Sequence, residues 1–187
     1  MAPGNVEESA LQQEHYDRIG TDYESHYGDA ASMAYRDRFI HEPLLGSLPL
    51  AGRDVLDAMC GSGQTTGWLL SRGARVTGLD VSPGRTESYA RKWPRCAVHT
   101  ASVLAMPFAR ESFDAVVIIG GLHHLHPHVD RGVAEILRVL KPGGFFCFME
   151  PHAGSVPDRV RRLWYRVDPL FGEGEQAVDL AALEARW

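Results

Sequence analysis

Two glycines close the run Val55-Leu-Asp-Ala-Met-Cys-Gly-Ser-Gly63, and a carboxylate, Asp80, closes the run Val76-Thr-Gly-Leu-Asp80 seventeen residues later. Gly61 and Gly63 carry no Cβ, so the backbone there can turn sharply and approach a ligand. A helical pattern starts at Gln64, and the first turn of a helix offers free N–H groups to whatever lies in front of it. An acid at the tip of the second strand is where folds of this kind hold ribose hydroxyls. The chemistry these residues suit is the binding of an adenosine-containing cofactor. Further along, His123, His124 and Glu150 stand near strand ends. These are groups that can take or give a proton, histidine best near neutral pH.

The elements that must position these residues can be read from periodicity. From Arg53 onward, apolar runs alternate with amphipathic stretches. Strands are predicted over 54–58, 75–79, 97–101, 113–119 and 145–149, and helices over 64–71, 83–93 and 129–140. Ser82 before Pro83 reads as a helix cap with proline at the first helical position. Lys141-Pro-Gly-Gly144 reads as a stop, with proline ending the helix and the glycines turning into the last strand. Alternation of this length implies an α/β fold: a doubly wound, mostly parallel sheet with helices on both faces. Val116-Val-Ile-Ile119 is apolar throughout, as a strand buried on both sides should be. Residues 7–48 read as helical, with Tyr16, Tyr23 and Tyr27 among apolar positions spaced by three and four.

Composition narrows the partners. The 187 residues suit one domain with a sizeable core. Nineteen basic against 24 acidic residues give a net charge of -5, which argues against a general nucleic-acid binder. No apolar run is long enough to span a membrane, and the first residues lack the pattern of a signal peptide. Cys60, Cys96 and Cys147 are an odd number without metal-type spacing, so reduced thiols in a cytoplasmic protein are expected.

A nicotinamide fingerprint would place a third glycine at position 66, where threonine stands, and a phosphate-binding loop would need Gly-Lys-Ser/Thr. The segments beyond the glycine pair are more telling. Ser102-Val-Leu-Ala-Met-Pro-Phe108, Phe113-Asp-Ala-Val-Val-Ile-Ile-Gly-Gly-Leu-His-His-Leu125 and Glu135-Ile-Leu-Arg-Val-Leu-Lys-Pro-Gly-Gly-Phe145 succeed the two runs above. In that order the five segments resemble the class I S-adenosylmethionine-dependent methyltransferases, most closely their small-molecule, type 11 branch. The resemblance covers residues 16–150. It implies a Rossmann-like fold with the helical segment 1–50 as a lid, 51–152 as the cofactor-binding core and 153–187 as a C-terminal helical segment.

The resemblance also implies roles. Asp57 and the backbone of Ala58, Met59, Cys60, Gly61 and Gly63 would hold the methionine end. Asp80 would accept both ribose hydroxyls and Val81 would pack on adenine. Ser102 and Val103 would face the adenine edge, and Gly120 would touch the cofactor through its backbone. S-adenosylhomocysteine would be the product. Two positions depart from the family pattern. Met59 stands where glycine is usual, making the first turn bulkier. Ser102 stands where aspartate is usual, so its bond to the adenine amine would lack charge assistance.

The sulfonium methyl is already activated, so alignment and exclusion of water are the main demands. A general base is needed only for an acceptor that must lose a proton. His123 and His124 are the candidates, set against simple packing at the end of the fourth strand. His126, His128 and His152 extend the cluster, but no cysteine or acid completes a metal set, and no metal is expected. Tyr23 and Tyr27 could face the sulfonium or merely pack the lid. Arg159, Arg161, Arg162 and Arg166 read as the solvated side of a helix rather than an anion site. Family members end in two further strands forming an antiparallel pair, which this sequence lacks. The expectation is a shortened chain, a fragment, or a sheet edge completed by another copy. The expected function is methyl transfer to a small-molecule acceptor, in secondary or other small-molecule metabolism. A nicotinamide oxidoreductase and a catalytically silent cofactor-binding module remain as alternatives.

Overall fold

Five strands form one sheet in the order β3-β2-β1-β4-β5 in the computed structural model, which describes residues 29–150. They are β1 (Asp54–Ala58), β2 (Arg75–Asp80), β3 (Ala97–Thr100), β4 (Phe113–Ile119) and β5 (Leu140–Met149). Every pairing is parallel. The order reverses between β1 and β4, which opens a crevice at their carboxyl ends.

Helices cover both faces because alternate strand residues are apolar on both sides. Leu56, Ala58, Val116 and Ile118 pack with Val133, Ile136 and Val139 of α5 (Val129–Val139). Val55, Val76, Ala115 and Val117 pack instead with Leu45 of α2 (Glu42–Leu45) and with Trp68 and Leu69 of α3 (Thr66–Ser71). Helix α4 (Pro83–Lys92) follows β2, and its Tyr89 is completely buried. Ser82 caps α4 as expected: its Oγ accepts from the Arg85 N–H at 3.2 Å, with Pro83 in the first turn.

Three expectations shift. Helix α3 begins at Thr66 rather than Gln64, because the turn after β1 extends through Thr65. Strand β5 begins at Leu140, not Phe145: Leu140 pairs with Phe113 while Phe145 pairs with Ala115. The Pro-Gly-Gly turn is therefore an irregularity inside the strand. Gly143 at φ +75 takes up the extra residues, and Lys141 Nζ bridges Asp54 (3.2 Å) and Asp114 (2.9 Å) beneath it. Upstream, helix α1 (Ala30–Arg36) runs through one π turn, Asp37–His41, into α2. Tyr16, Tyr23 and Tyr27, His152 and the arginines from Arg159 onward lie outside the described residues, as do most of 1–50 and all of 153–187. No helix among the described residues is long and apolar enough to cross a membrane.

Candidate active site

The turn after β1 is held from beneath and from the side. The Gly61 N–H donates to Asp80 Oδ2 at 2.9 Å, and the Ser82 N–H donates to Asp80 Oδ1 at 3.0 Å. Asp80 thus fixes the glycine turn and its own following residue, with one lone pair on each oxygen still open. Burial pushes its carboxyl up, opposed by the two N–H donors. Val81 is half-buried next to it.

Met59 adopts φ +56, with Gly61 at +55 and Gly63 at +84. The left-handed conformation at position 59 explains why glycine is the easier residue there, since an L side chain costs about 1–2 kcal/mol in it. Met59 nevertheless packs across the crevice: a Cβ on Gly121 would come within 2.8 Å of its Sδ. Ala58 and Cys60 are buried, and burial raises the Cys60 thiol well above its usual range. Cys60, Cys96 and Cys147 are all free thiols.

The far side of the turn is clamped by residues the sequence did not announce. Trp93 Nε1 donates to the Ser62 carbonyl at 3.2 Å. A Cβ on Gly63 would overlap that indole nitrogen, and one on Gly67 would meet the same ring at 2.8 Å. Gly63→Ala therefore combines a left-handed φ that L residues disfavour with a clash. We expect it to cost at least about 2 kcal/mol of stability, read by chemical denaturation. Gly78 makes room for Tyr89 in the same way, a Cβ there lying 2.8 Å from its ring.

Asp57 lies beneath the turn, 3 % exposed. Its Oδ2 accepts from Thr66 Oγ1 at 2.6 Å, and that hydroxyl lies 3.1 Å from the Tyr89 hydroxyl. Burial first, and the nearby Asp80 charge after it, push the Asp57 carboxyl up to about 7, against the lowering effect of Thr66 and Arg36. The folded state therefore binds this proton more tightly than the unfolded chain does. The stability it contributes is complete below the ordinary value of 3.8 and is lost as pH rises to about 7. Asp57→Asn should flatten the dependence of unfolding free energy on pH across that window, where one proton's uptake changes stability by ~1.4 kcal/mol for each pH unit. An unchanged slope in the variant would count against this account.

Ser102 and Val103 follow β3. Ser102 Oγ accepts from the Leu104 N–H at 3.2 Å, capping a short 3-10 turn, Val103–Ala105. The Val103 side chain is buried in the core, so that residue can face a ligand only through its backbone. Gly120, at φ +70, ends β4 with open space where a Cβ would stand. A 3-10 turn, Leu122–Leu125, follows and carries both histidines. Glu150, just past β5, organises this turn. Its Oε1 accepts from the Gly121 and Leu122 N–H groups, each at 2.6 Å, and its Oε2 lies 2.7 Å from His123 Nδ1. The Glu150 side chain is fully buried and that of His123 is 10 % exposed. A carboxylate can only accept, so it fixes the proton on Nδ1 and leaves Nε2 as the basic nitrogen. The His124 ring lies 3.8 Å from that of His123 and is half-buried, while His126 is exposed. No group of three or more potential metal ligands occurs among the described residues.

The crevice thus gathers the glycine turn, Asp80, Val81, Gly120 and Gly121 at the carboxyl ends of β1, β2 and β4. Residues 55–144 match the model of a methyltransferase domain. That segment is a methyltransferase domain of the class I, S-adenosylmethionine-dependent kind. An uncharacterized methyltransferase of Synechocystis sp. is 34 % identical over 120 residues, covering 64 % of this chain and 57 % of the relative. A demethylmenaquinone methyltransferase of Beutenbergia cavernae is 39 % identical over 100 residues, covering 54 % and 40 %. Among solved structures, the 1,6-didemethyltoxoflavin-N1-methyltransferase of Burkholderia thailandensis, with bound 1,6-didemethyltoxoflavin and S-adenosylhomocysteine, superimposes with TM-score 0.60 at 28 % identity. It covers 79 % of this chain and 64 % of that one. The chain spans about half the length of the curated relatives it matches. The Rossmann-like core expected from the sequence is the one observed, and the match falls on the β1-to-β5 segment that builds the crevice.

Proposed function

We propose that this chain binds S-adenosylmethionine in the crevice and transfers its methyl group to a small-molecule acceptor. The observation that carries the reading is the joint placement of the glycine turn and Asp80, locked by the 2.9 Å bond from the Gly61 N–H. In this reading Asp80 accepts the ribose hydroxyls with its open lone pairs. Val81, Ser102 and the Val103 backbone line the adenine side. Asp57 and the backbone from Ala58 to Gly63, with Gly120, hold the amino-acid end. Tyr23 and Tyr27 would close the donor site from the N-terminal segment.

The acceptor is best read as a molecule whose nucleophile carries a proton, such as a hydroxyl. The His123–Glu150 pair supports this, because a histidine whose tautomer is fixed by a buried carboxylate suits a general base. His124, whose ring lies tilted at 45° against that of His123, is the second candidate. The relatives named above act on a demethylmenaquinone and on a nitrogen of a toxoflavin precursor, which supports a small cyclic acceptor. The charge of -5 disfavours nucleic acid as partner. The chemistry belongs in small-molecule metabolism, in the cytoplasm.

Isothermal titration with S-adenosylhomocysteine and with NAD tests the donor. Binding of the first alone is expected, and binding of NAD alone would reject the reading in favour of an oxidoreductase. Methyl transfer to a panel of phenols, hydroquinones and heterocyclic amines then separates an enzyme from a silent binding module. Transfer to phenols before amines is expected.

A further inference from the structure

Arg131, Ala134, Glu135 and Arg138 recur at helical spacing and so share one face of α5. The sheet takes the other face, with Val133, Ile136 and Val139. Between the first face, the 3-10 turn Val103–Ala105 and the loop that leads into β4 lies a groove of ~510 Å³, within the size range of small-molecule sites. None of its lining residues has a part in the methyl transfer proposed above.

One wall of the groove is a closed network. Arg138 Nε and Nη2 donate to the two oxygens of Glu135, each at 2.8 Å. The same guanidinium donates to the carbonyls of Phe108 at 2.8 Å and Met106 at 3.1 Å, and the Met106 N–H donates to Glu135 Oε2 at 3.1 Å. Glu135 is the one acid among the described residues that line the groove, and its charge is already answered by Arg138. The carboxyl is held below its usual range by that arginine first, with the Arg131 charge as a smaller contribution.

Two cations are left over. Arg110 enters from the loop before β4 and Arg131 from the first turn of α5, and both line the groove. Among the described residues, neither makes a hydrogen bond or an ion pair. An exposed arginine alone is ordinary. Two that meet at one concavity, in a chain of net charge -5, beside an acid that is already neutralised, form a local excess of positive charge. Guanidinium forks match phosphate oxygens in paired bonds. A phosphate monoester carries about -1.5 to -2 at neutral pH, enough to balance both arginines, whereas a carboxylate balances one. Leu104, Ala105 and Ala134 line the rest of the groove with apolar side chains, which suits a carbon skeleton rather than a bare ion.

We propose that this groove binds a small organophosphate, its phosphate between Arg110 and Arg131 and its carbon skeleton against Leu104, Ala105 and Ala134.

Isothermal titration of the full chain with phenyl phosphate, inorganic phosphate and benzoate tests the site. Phenyl phosphate should bind most tightly of the three, and saturation with S-adenosylhomocysteine should leave its affinity as it was. Arg110→Gln and Arg131→Gln should each weaken it about 10-fold or more, the worth of a charge-assisted hydrogen bond, with the thermal melt unchanged. Arg91→Gln, at an exposed arginine on α4, should bind as wild type does. Wild type that does not bind phenyl phosphate at millimolar concentration would overturn the proposal. So would wild-type affinity in both groove variants, or an equal loss in Arg91→Gln, which would reduce binding to general charge attraction. Inorganic phosphate or benzoate binding as tightly as phenyl phosphate would overturn the ligand class, and displacement by S-adenosylhomocysteine would move the ligand to the crevice. A chain that binds phenyl phosphate but not S-adenosylhomocysteine would reject the donor reading and leave this site standing.

Discussion

Asp80→Ala lowers affinity for S-adenosylhomocysteine by about 100-fold, the loss expected for two hydrogen bonds to a charged acceptor. Two effects add. The ribose loses its acceptor, and the Gly61 and Ser82 N–H groups lose the oxygens that hold the turn in shape. Asp80→Asn separates them, because its one carbonyl oxygen can still accept from a single partner. We expect a loss of about tenfold for Asn, with a melting temperature closer to wild type. Titration calorimetry reads the affinities and a thermal melt the stability. Wild-type affinity in Asp80→Ala would remove Asp80 from the donor site altogether.

The second large effect concerns His123. Its replacement by alanine should lower kcat about 100-fold or more while S-adenosylhomocysteine affinity stays as it was. Glu150→Gln is the sharper variant. A glutamine can still accept from the Gly121 and Leu122 N–H groups, so the turn should survive. Its amide N–H would face His123 Nδ1 and turn that nitrogen into an acceptor, which moves the proton to Nε2. The imidazole then has no base on its free side, and kcat should fall nearly as far as in His123→Ala. Glu150 is thus a positioning residue, and the split between kcat and donor affinity distinguishes that role from simple support of the fold. An acceptor that needs no deprotonation would leave kcat unchanged in both variants, and His123 would be a packing residue.

These two effects differ in how visible they were beforehand. Asp80 was legible because its signal is local: an apolar run, an acid at its tip and a capped helix directly after it. The Ser82 cap and the glycines at 61 and 63 were legible for the same reason, since φ demands and capping bonds lie within a few residues. His123 was visible only as one of two adjacent histidines. What selects it is Glu150, 27 residues away along the chain and brought alongside by the pairing of β4 with β5. The clamp formed by Trp93 and Tyr89 was equally silent. Gly63, Gly67 and Gly78 were its traces, and nothing local says which ring a missing Cβ admits.

The amino-acid sequence by itself determined the order of strands and helices, the turn that faces the donor and the acid that ends β2. Each follows from periodicity, from glycine's freedom or from a cap, all of which act over one or two turns of chain. Only the tertiary structure decided which histidine is oriented, which carboxyl is forced up towards neutrality and which arginines are left unpaired. Those properties depend on burial and on partners from other elements. Burial is a sum over contacts that no short stretch of sequence contains.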